Sequence, residues 1–401
     1  MSLSTSIRCE NIAPSVTLAV DARAKEMRAN GLNVISFGTG EPDFDTPAFI
    51  GDAAMEAIHK GRTRYTQVAG TPELRAAICR KLKRDNQLDY DPSQIIVSNG
   101  AKHSLFTIFQ AILNPGDEVL IPIPCWVSYP ELVRMAGGVP VYVRTQESND
   151  FIPELDAIAR AVNRRTKAIV ITSPSNPNGC VWSREQLQGV ADLAVKHGFY
   201  VISDEIYEKL LYDGLKHVSI AQLGEAIKSQ TLVVNGLSKA YAMTGWRIGY
   251  TAGPRNVIQA MTTFQSQASS NACSIAQDAS AAALDGDQTC VEEMRKEFER
   301  RRDYMYERLN AIPGLSCIKP KGAFYIMMNI KDVLGKTLAG RLIDTSMDFV
   351  EVLLTEALVA LVPGIAFEAE GYCRLSYATS MENIEEGLSR IENFLAKFYI
   401  V

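Results

Sequence analysis

Between residues 95 and 252 the chain alternates short apolar runs with stretches whose apolar positions recur every three or four residues. The runs are Ile95-Ile96-Val97, Glu118-Val119-Leu120-Ile121, Ala168-Ile169-Val170-Ile171, Tyr200-Val201-Ile202, Leu232-Val233-Val234 and Ile248-Gly249-Tyr250. Strand-length runs separated by helical periods predict βαβ units on a mainly parallel sheet. One connecting helix has legible ends. Ser183-Arg184-Glu185-Gln186 is a capping box in front of Leu187, Val190 and Leu193, and Gly198 is the stop.

Beyond residue 285 the texture changes. An Arg- and Glu-rich segment, Glu292 to Leu309, predicts a helix, and Pro313-Gly314 breaks it. Ala323-Phe324-Tyr325-Ile326-Met327-Met328 then predicts a strand, and Ile384, Leu388, Ile391 and Leu395 form one face of a closing helix. A smaller α+β domain after a large α/β domain is the expected organisation, and 401 residues are too many for one small core.

Composition narrows the class. Apolar residues at 47% and charged residues at 22% are those of an ordinary globular protein. A net charge of −5 lacks the basic footprint that nucleic acid selects. No apolar run of about 18 residues suggests a membrane span, and the first residues show no secretory pattern. The eight cysteines are scattered, without C-x-x-C or a histidine at zinc spacing, and read as reduced thiols. A cytoplasmic enzyme with no metal ligand set is the expectation.

In open α/β sheets ligands bind beyond the carboxyl ends of the strands, and the polar signals fall there. Val97 is followed by Ser98-Asn99-Gly100-Ala101-Lys102, a glycine turn into an apolar helix whose free N–H groups favour an anion. Thr172 is followed by "SPSNPNG", a turn presenting Asn176. Ile202 is followed by "SDEIYEKL", with Asp204 and Tyr207, and Val234 by "NGLSKAYAMTGWR", with Ser238, Lys239 and Arg247. Singly, each has a plainer reading: Asn176 as turn chemistry, Asp204 as a helix cap, Lys239 and Arg247 as solvated loop charges. "FGTGEPDF" carries half a dinucleotide fingerprint, but Pro42 and Asp43 displace its third glycine and its helix start. Together the residues supply a lysine for a Schiff base, a carboxylate for a pyridine nitrogen and an anion cradle, the set that pyridoxal phosphate needs.

"GEPDFDTP", "SPSNPNG", "SDEIYE", "SKAYAMTGWRIGY" and "RLSYATS" resemble the signature segments of class I aminotransferases, the pyridoxal-phosphate enzymes of fold type I, and most of all their bacterial-type aspartate branch. The likeness runs from about residue 14 to the C-terminus. It implies an α/β fold with a seven-stranded, mainly parallel sheet between helices and a smaller α+β domain built from both termini. The implied boundaries are 1–47 for an arm and part of the small domain, 48–284 for the large domain and 285–401 for the rest.

The resemblance also assigns roles. Lys239 would carry the cofactor and move protons, acting with Asp204 at the pyridine nitrogen and Tyr207 at the phenolic oxygen, which Asn176 also reaches. Trp126 would stack on the ring. Ser238, Arg247, Gly100, Ala101 and Lys102 would hold the phosphate. Tyr65, in a loop bracketed by Gly61 and Gly70, would complete the phosphate site of a neighbouring subunit, making a homodimer with shared sites. Arg374, costly on an apolar strand unless paired, would clamp the substrate's α-carboxylate with Gly40, beside Trp126 and Asn176. Ser15, Thr17 and Lys102 would receive a distal carboxylate. The expected reaction is ping-pong transfer from aspartate to 2-oxoglutarate. Aromatic, alanine or prephenate specificity, or a lyase on the same fold, are the alternatives. Gln67 and Val68 stand where a proline pair is common, and Asn178 where threonine is usual, so the departures gather at the substrate region.

Overall fold

The computed structural model describes residues 5–10, 12–14 and 16–398. Ser15 therefore lies outside the described residues. Among these residues the strands, in chain order, are β1 (Ile35–Ser36), β2 (Ile95–Ser98), β3 (Glu118–Ile123), β4 (Val139–Arg144), β5 (Thr166–Thr172), β6 (Tyr200–Asp204) and β7 (Thr231–Gly236). They continue with β8 (Gly249–Ala252), β9 (Tyr325–Asn329), β10 (Thr337–Leu338), β11 (Arg341–Leu342), β12 (Val359–Ala360), β13 (Val362–Pro363) and β14 (Tyr372–Ser376).

Seven strands form one sheet in the order β2-β8-β7-β6-β5-β3-β4. Each apolar run of the sequence becomes one of them. β8 alone runs antiparallel to its neighbours β2 and β7. The runs look continuous because both faces are covered. Ile96, Val119, Ile121, Val170 and Ile202 meet Leu105, Ile108 and Phe109 of the helix Ala101–Ile112 and Val257 and Met261 of the helix Arg255–Ala268. The intervening Leu120, Ile169, Ile171 and Val201 meet Leu187 and Val190 of the helix Arg184–His197 on the other side.

The capping box at that helix is present: the Gln186 amide donates to Ser183 Oγ at 3.2 Å, and the Ser183 amide donates to Gln186 Oε1 at 2.8 Å. Gly198 ends the helix at φ 74°. Such a left-handed stop favours glycine.

The smaller sheet, β13-β14-β9, is antiparallel. The helices Thr289–Ala311 and Met381–Ala396 cover it, burying Phe298, Met305 and Leu309 of the first and Ile384, Leu388, Ile391 and Leu395 of the second. Ile35 and Phe37 join the same core, and β1 pairs with β12, so both ends of the chain build this α+β part. The strand expected from Ala323 begins at Tyr325, because Ala323 sits at φ 59°, outside strand geometry. Among the described residues no helix is long and apolar enough to cross a membrane.

Candidate active site

The parallel strands deliver their carboxyl ends to one edge of the large sheet, and β14 of the small sheet faces that edge. β6 ends at Asp204, which is 4% exposed. It does not cap a helix: residues 206–209 form turns. Its Oδ2 accepts from Tyr129 Oη at 2.7 Å and its Oδ1 from the Ile206 amide at 3.3 Å. Burial is the main influence and raises its pKa to about 6 despite these donors. A buried carboxylate with two neutral donors is poised to accept a cationic partner.

Lys239 follows β7 and reaches back so that Nζ donates to the Gly40 carbonyl at 2.6 Å. Desolvation lowers its pKa to about 8, with Glu41 opposing and Arg247 and Arg374 adding to the fall. An amine of that acidity has an accessible lone pair near neutral pH, as nucleophilic and general-base work requires. Ser238 beside it is buried.

The candidate anion cradle is built from close glycine contacts. Arg247 immediately precedes Ile248 and β8, and it lies against Gly100, where an added Cβ would come within 2.4 Å of its guanidinium. Gly249 faces the Ala101 amide, and a Cβ there would approach the nitrogen to 2.3 Å. No side chain caps the helix that starts at Ala101, so its first N–H groups remain available beside the Arg247 guanidinium. Lys102, the second residue of that helix, holds Nζ 4.9 Å from the Trp126 ring centroid. Desolvation, then the Arg247 charge, lowers its pKa.

On the opposite wall Arg374 is 3% exposed on β14. Its Nη1 donates to Asn176 Oδ1 at 3.0 Å and its Nη2 to the Gly38 carbonyl at 2.8 Å. No acidic side chain pairs with it among the described residues, and its Nε has no partner. Desolvation lowers its pKa. A buried guanidinium held only by neutral oxygens retains capacity for an incoming carboxylate.

Asp204, Lys239, Asn176, Tyr207, Gly40 and Arg374 are thus brought together, with Trp126, Lys102, Gly100, Ala101, Ser238 and Arg247 alongside. Tyr65 is different: it is 89% exposed, and among the described residues no hydrogen bond or ring contact joins it to Lys239 or Arg247. Thr17 lies in the first turn of the helix Val16–Ala29. Sequence reasoning missed two tyrosines. Tyr129, three residues after Trp126, links Asp204 to Thr172 Oγ1 at 2.7 Å. Tyr325, concealed in an apolar run, has its hydroxyl 2.9 Å from that of Tyr207. A tyrosine in an apolar stretch needs a partner for its hydroxyl, and that was the available signal.

Behind the site Glu208 and Lys81 form a buried ion pair. Asn86 bridges them, accepting from Lys81 Nζ and donating to Glu208 Oε2, each at 2.7 Å. Glu205 accepts from Ser203 and Ser219 at 2.9 and 2.6 Å, with His217 Nε2 3.0 Å away.

The residues fit a phosphorylated pyridine aldehyde: an amine, a buried carboxylate, an uncapped helix start with an arginine beside it and an aromatic wall. The family description "aminotransferase class I and II" matches residues 33–391. An aspartate aminotransferase of Bacillus sp. strain YM-2 is 50% identical over 388 residues, covering 97% of this chain and 98% of that one. An aspartate/prephenate aminotransferase of Nitrosomonas europaea is 45% identical over 392 residues, covering 97% and 99%. The structure of Thermus thermophilus aspartate aminotransferase with maleate superposes with a TM-score of 0.93 at 45% identity, covering 98% of this chain and all of that one. The chain belongs to the class I and II aminotransferases, as a pyridoxal-phosphate-dependent enzyme of fold type I.

Proposed function

We propose that the protein transfers an amino group from L-aspartate to 2-oxoglutarate in a ping-pong cycle. The observation that supports this most directly is Arg374, a buried guanidinium with neutral partners only, across the site from Lys239. It suits the α-carboxylate that all amino acid donors share. A second cation, Lys102 beside Trp126, suits the distal carboxylate of a dicarboxylic substrate, with Ser15 and Thr17 as its partners. The Thermus relative's structure with maleate, a dicarboxylate, supports the same reading.

Pyridoxal phosphate, when bound, supplies the electron sink that stabilises negative charge at the substrate's Cα. Lys239 would hold it covalently, Arg247, Ser238 and the amides of Gly100, Ala101 and Lys102 would hold its phosphate, and Trp126 would cover its ring. Asp204 would hold the proton at the pyridine nitrogen, while Tyr207 and Asn176 would donate at the phenolic oxygen. Once the substrate's amine has displaced it, Lys239, its pKa lowered by burial, would be free to take the proton from Cα. Gly40 admits the substrate's carboxylate to the backbone, and Trp126 and Asn176 line the space beside it. Tyr65 is a large aromatic exposed to solvent in the single chain, which suits a contact with the phosphate of a second subunit in an isologous dimer.

The Nitrosomonas relative favours a second reading, in which prephenate also serves as amino acceptor. A panel of amino donors against 2-oxoglutarate and prephenate tests both. Aspartate and glutamate should lead. Lys102→Ala should cost those two donors about 1.5–3 kcal/mol in kcat/KM while sparing alanine. Equal losses across all donors would remove Lys102 from the distal site.

A further inference from the structure

Tyr325 is 1% exposed on β9, and it touches three parts of the site at once. Its hydroxyl lies 2.9 Å from the Tyr207 hydroxyl, with the two rings edge to face at 5.8 Å. The Arg374 guanidinium lies 4.5 Å from its ring centroid. A Cβ at Gly40 would come within 3.2 Å of its oxygen. One side chain therefore contacts the tyrosine assigned to the phenolic oxygen, the arginine assigned to the α-carboxylate and the backbone on the substrate side.

Proton counting orders this arrangement. A phenol has one proton to donate and lone pairs to accept with. If Tyr207 gives its proton to a ligand oxygen, the hydrogen bond between the two tyrosines requires Tyr325 to be its donor. A hydroxyl that accepts one hydrogen bond also becomes a stronger donor of the next. The Arg374 cation over the ring face is a favourable contact in its own right.

We propose that Tyr325 is a positioning residue for transamination: its hydroxyl donates to Tyr207 and so strengthens Tyr207 as donor to the cofactor's phenolic oxygen, while its ring holds the Arg374 fork. This rests on the cofactor reading above. The charged groups around the pair are Asp204 at the end of β6 and Arg374 on β14, with Lys239 beyond β7 over the neighbouring Phe324 ring, and a change of Tyr325 to phenylalanine removes none of these charges.

The test is a pH titration of the visible band in cofactor-loaded wild type, Tyr325→Phe, Tyr207→Phe and the double variant. Losing a donor at the phenolic oxygen favours the protonated form. Tyr325→Phe should therefore bind the titrating proton about two- to tenfold more tightly, and Tyr207→Phe at least as much. Adding Tyr325→Phe to Tyr207→Phe should shift nothing further. In steady state Tyr325→Phe keeps the ring and should leave KM for amino donors within about twofold, whereas Tyr325→Leu should raise it for every donor. An unmoved band in Tyr325→Phe, or an equal shift with and without the Tyr207 hydroxyl, overturns the link alone. A loaded wild type with no titrating band overturns the cofactor reading and the link with it.

Discussion

Asp204 and Glu208 are separated by one turn of chain at the end of β6, both buried, yet their surroundings treat charge in opposite ways. Burial alone would raise the Glu208 pKa, but Lys81, His217 and Lys209 outweigh it and hold the group at about 2. Both of its oxygens are bonded, and its cation is bonded in turn. Asp204 meets no cation at contact distance, only a phenol and an amide, and its pKa moves up to about 6. The lysines repeat the contrast: Lys81 has two side-chain partners and Lys239 a single carbonyl. A charge cluster that satisfies itself is scaffold, and one left incomplete is a receptor for what arrives later.

The contrast breaks most sharply at the lysines. Lys239→Met should reduce transamination by more than about 10⁴-fold, since both the covalent and the proton-transfer role proposed for it go with it. The cofactor-free protein should keep its denaturation midpoint, because the ammonium removed has no anionic partner. Residual activity above a hundredth of wild type would end the assignment. Lys81→Met should do the reverse. Stranding Glu208 should cost about 3–5 kcal/mol in urea unfolding, and adding Glu208→Gln should restore much of it.

pH separates the two carboxylates by sign. Glu208 is depressed from 4.5 to about 2, so its contribution is complete above pH 4.5 and is lost as pH falls toward 2. Glu208→Gln should flatten that acid limb. Asp204 is raised from 3.8 to about 6, so the folded cofactor-free protein binds its proton more tightly than the unfolded chain does, and stability falls as pH rises through that interval. Asp204→Asn should therefore stabilise the cofactor-free protein at neutral pH while its turnover collapses. Equal pH profiles for the two variants would erase the distinction. The smallest effect is expected from Tyr129→Phe, which leaves Asp204 its Ile206 amide and should cost about 0.5–1.5 kcal/mol in kcat/KM.

Much of this was legible in the residues. Six strands of the large sheet announced themselves because both faces are covered, and their polar residues fell where strands end. β4 did not, since Pro140 interrupts it and Gly137-Gly138 precede it. It survives as an edge strand, where a missing N–H is tolerated. The reversed direction of β8 was also hidden, because an apolar run carries no sign of its polarity. Lys239, Asp204 and Arg374 stood out by residue type and position, and the resemblance supplied the roles proposed for them. Tyr129 and Tyr325 could not, because an aromatic in a core and an aromatic holding a catalytic partner differ only in what the hydroxyl meets. The Lys81–Glu208 pair was invisible for a related reason: its partners are 127 residues apart.

The position of β8 between β2 and β7 also has a meaning in time. Val97 pairs with Tyr250 and has no other strand beside it. At roughly 5–20 residues per second of synthesis, about eight to thirty seconds separate the two. Through that interval Ile95–Ser98 lacks its one neighbouring strand, and an apolar strand without its partner is a surface for chaperones or for misassembly. Arg247, made only at its close, is the residue that lies against Gly100. The proposed anion cradle would thus be completed late in translation, after the pairing of β3, β5, β6 and β7 can already have begun, and a message truncated before Gly249 should yield a sheet without the neighbour that seats its first-made strand.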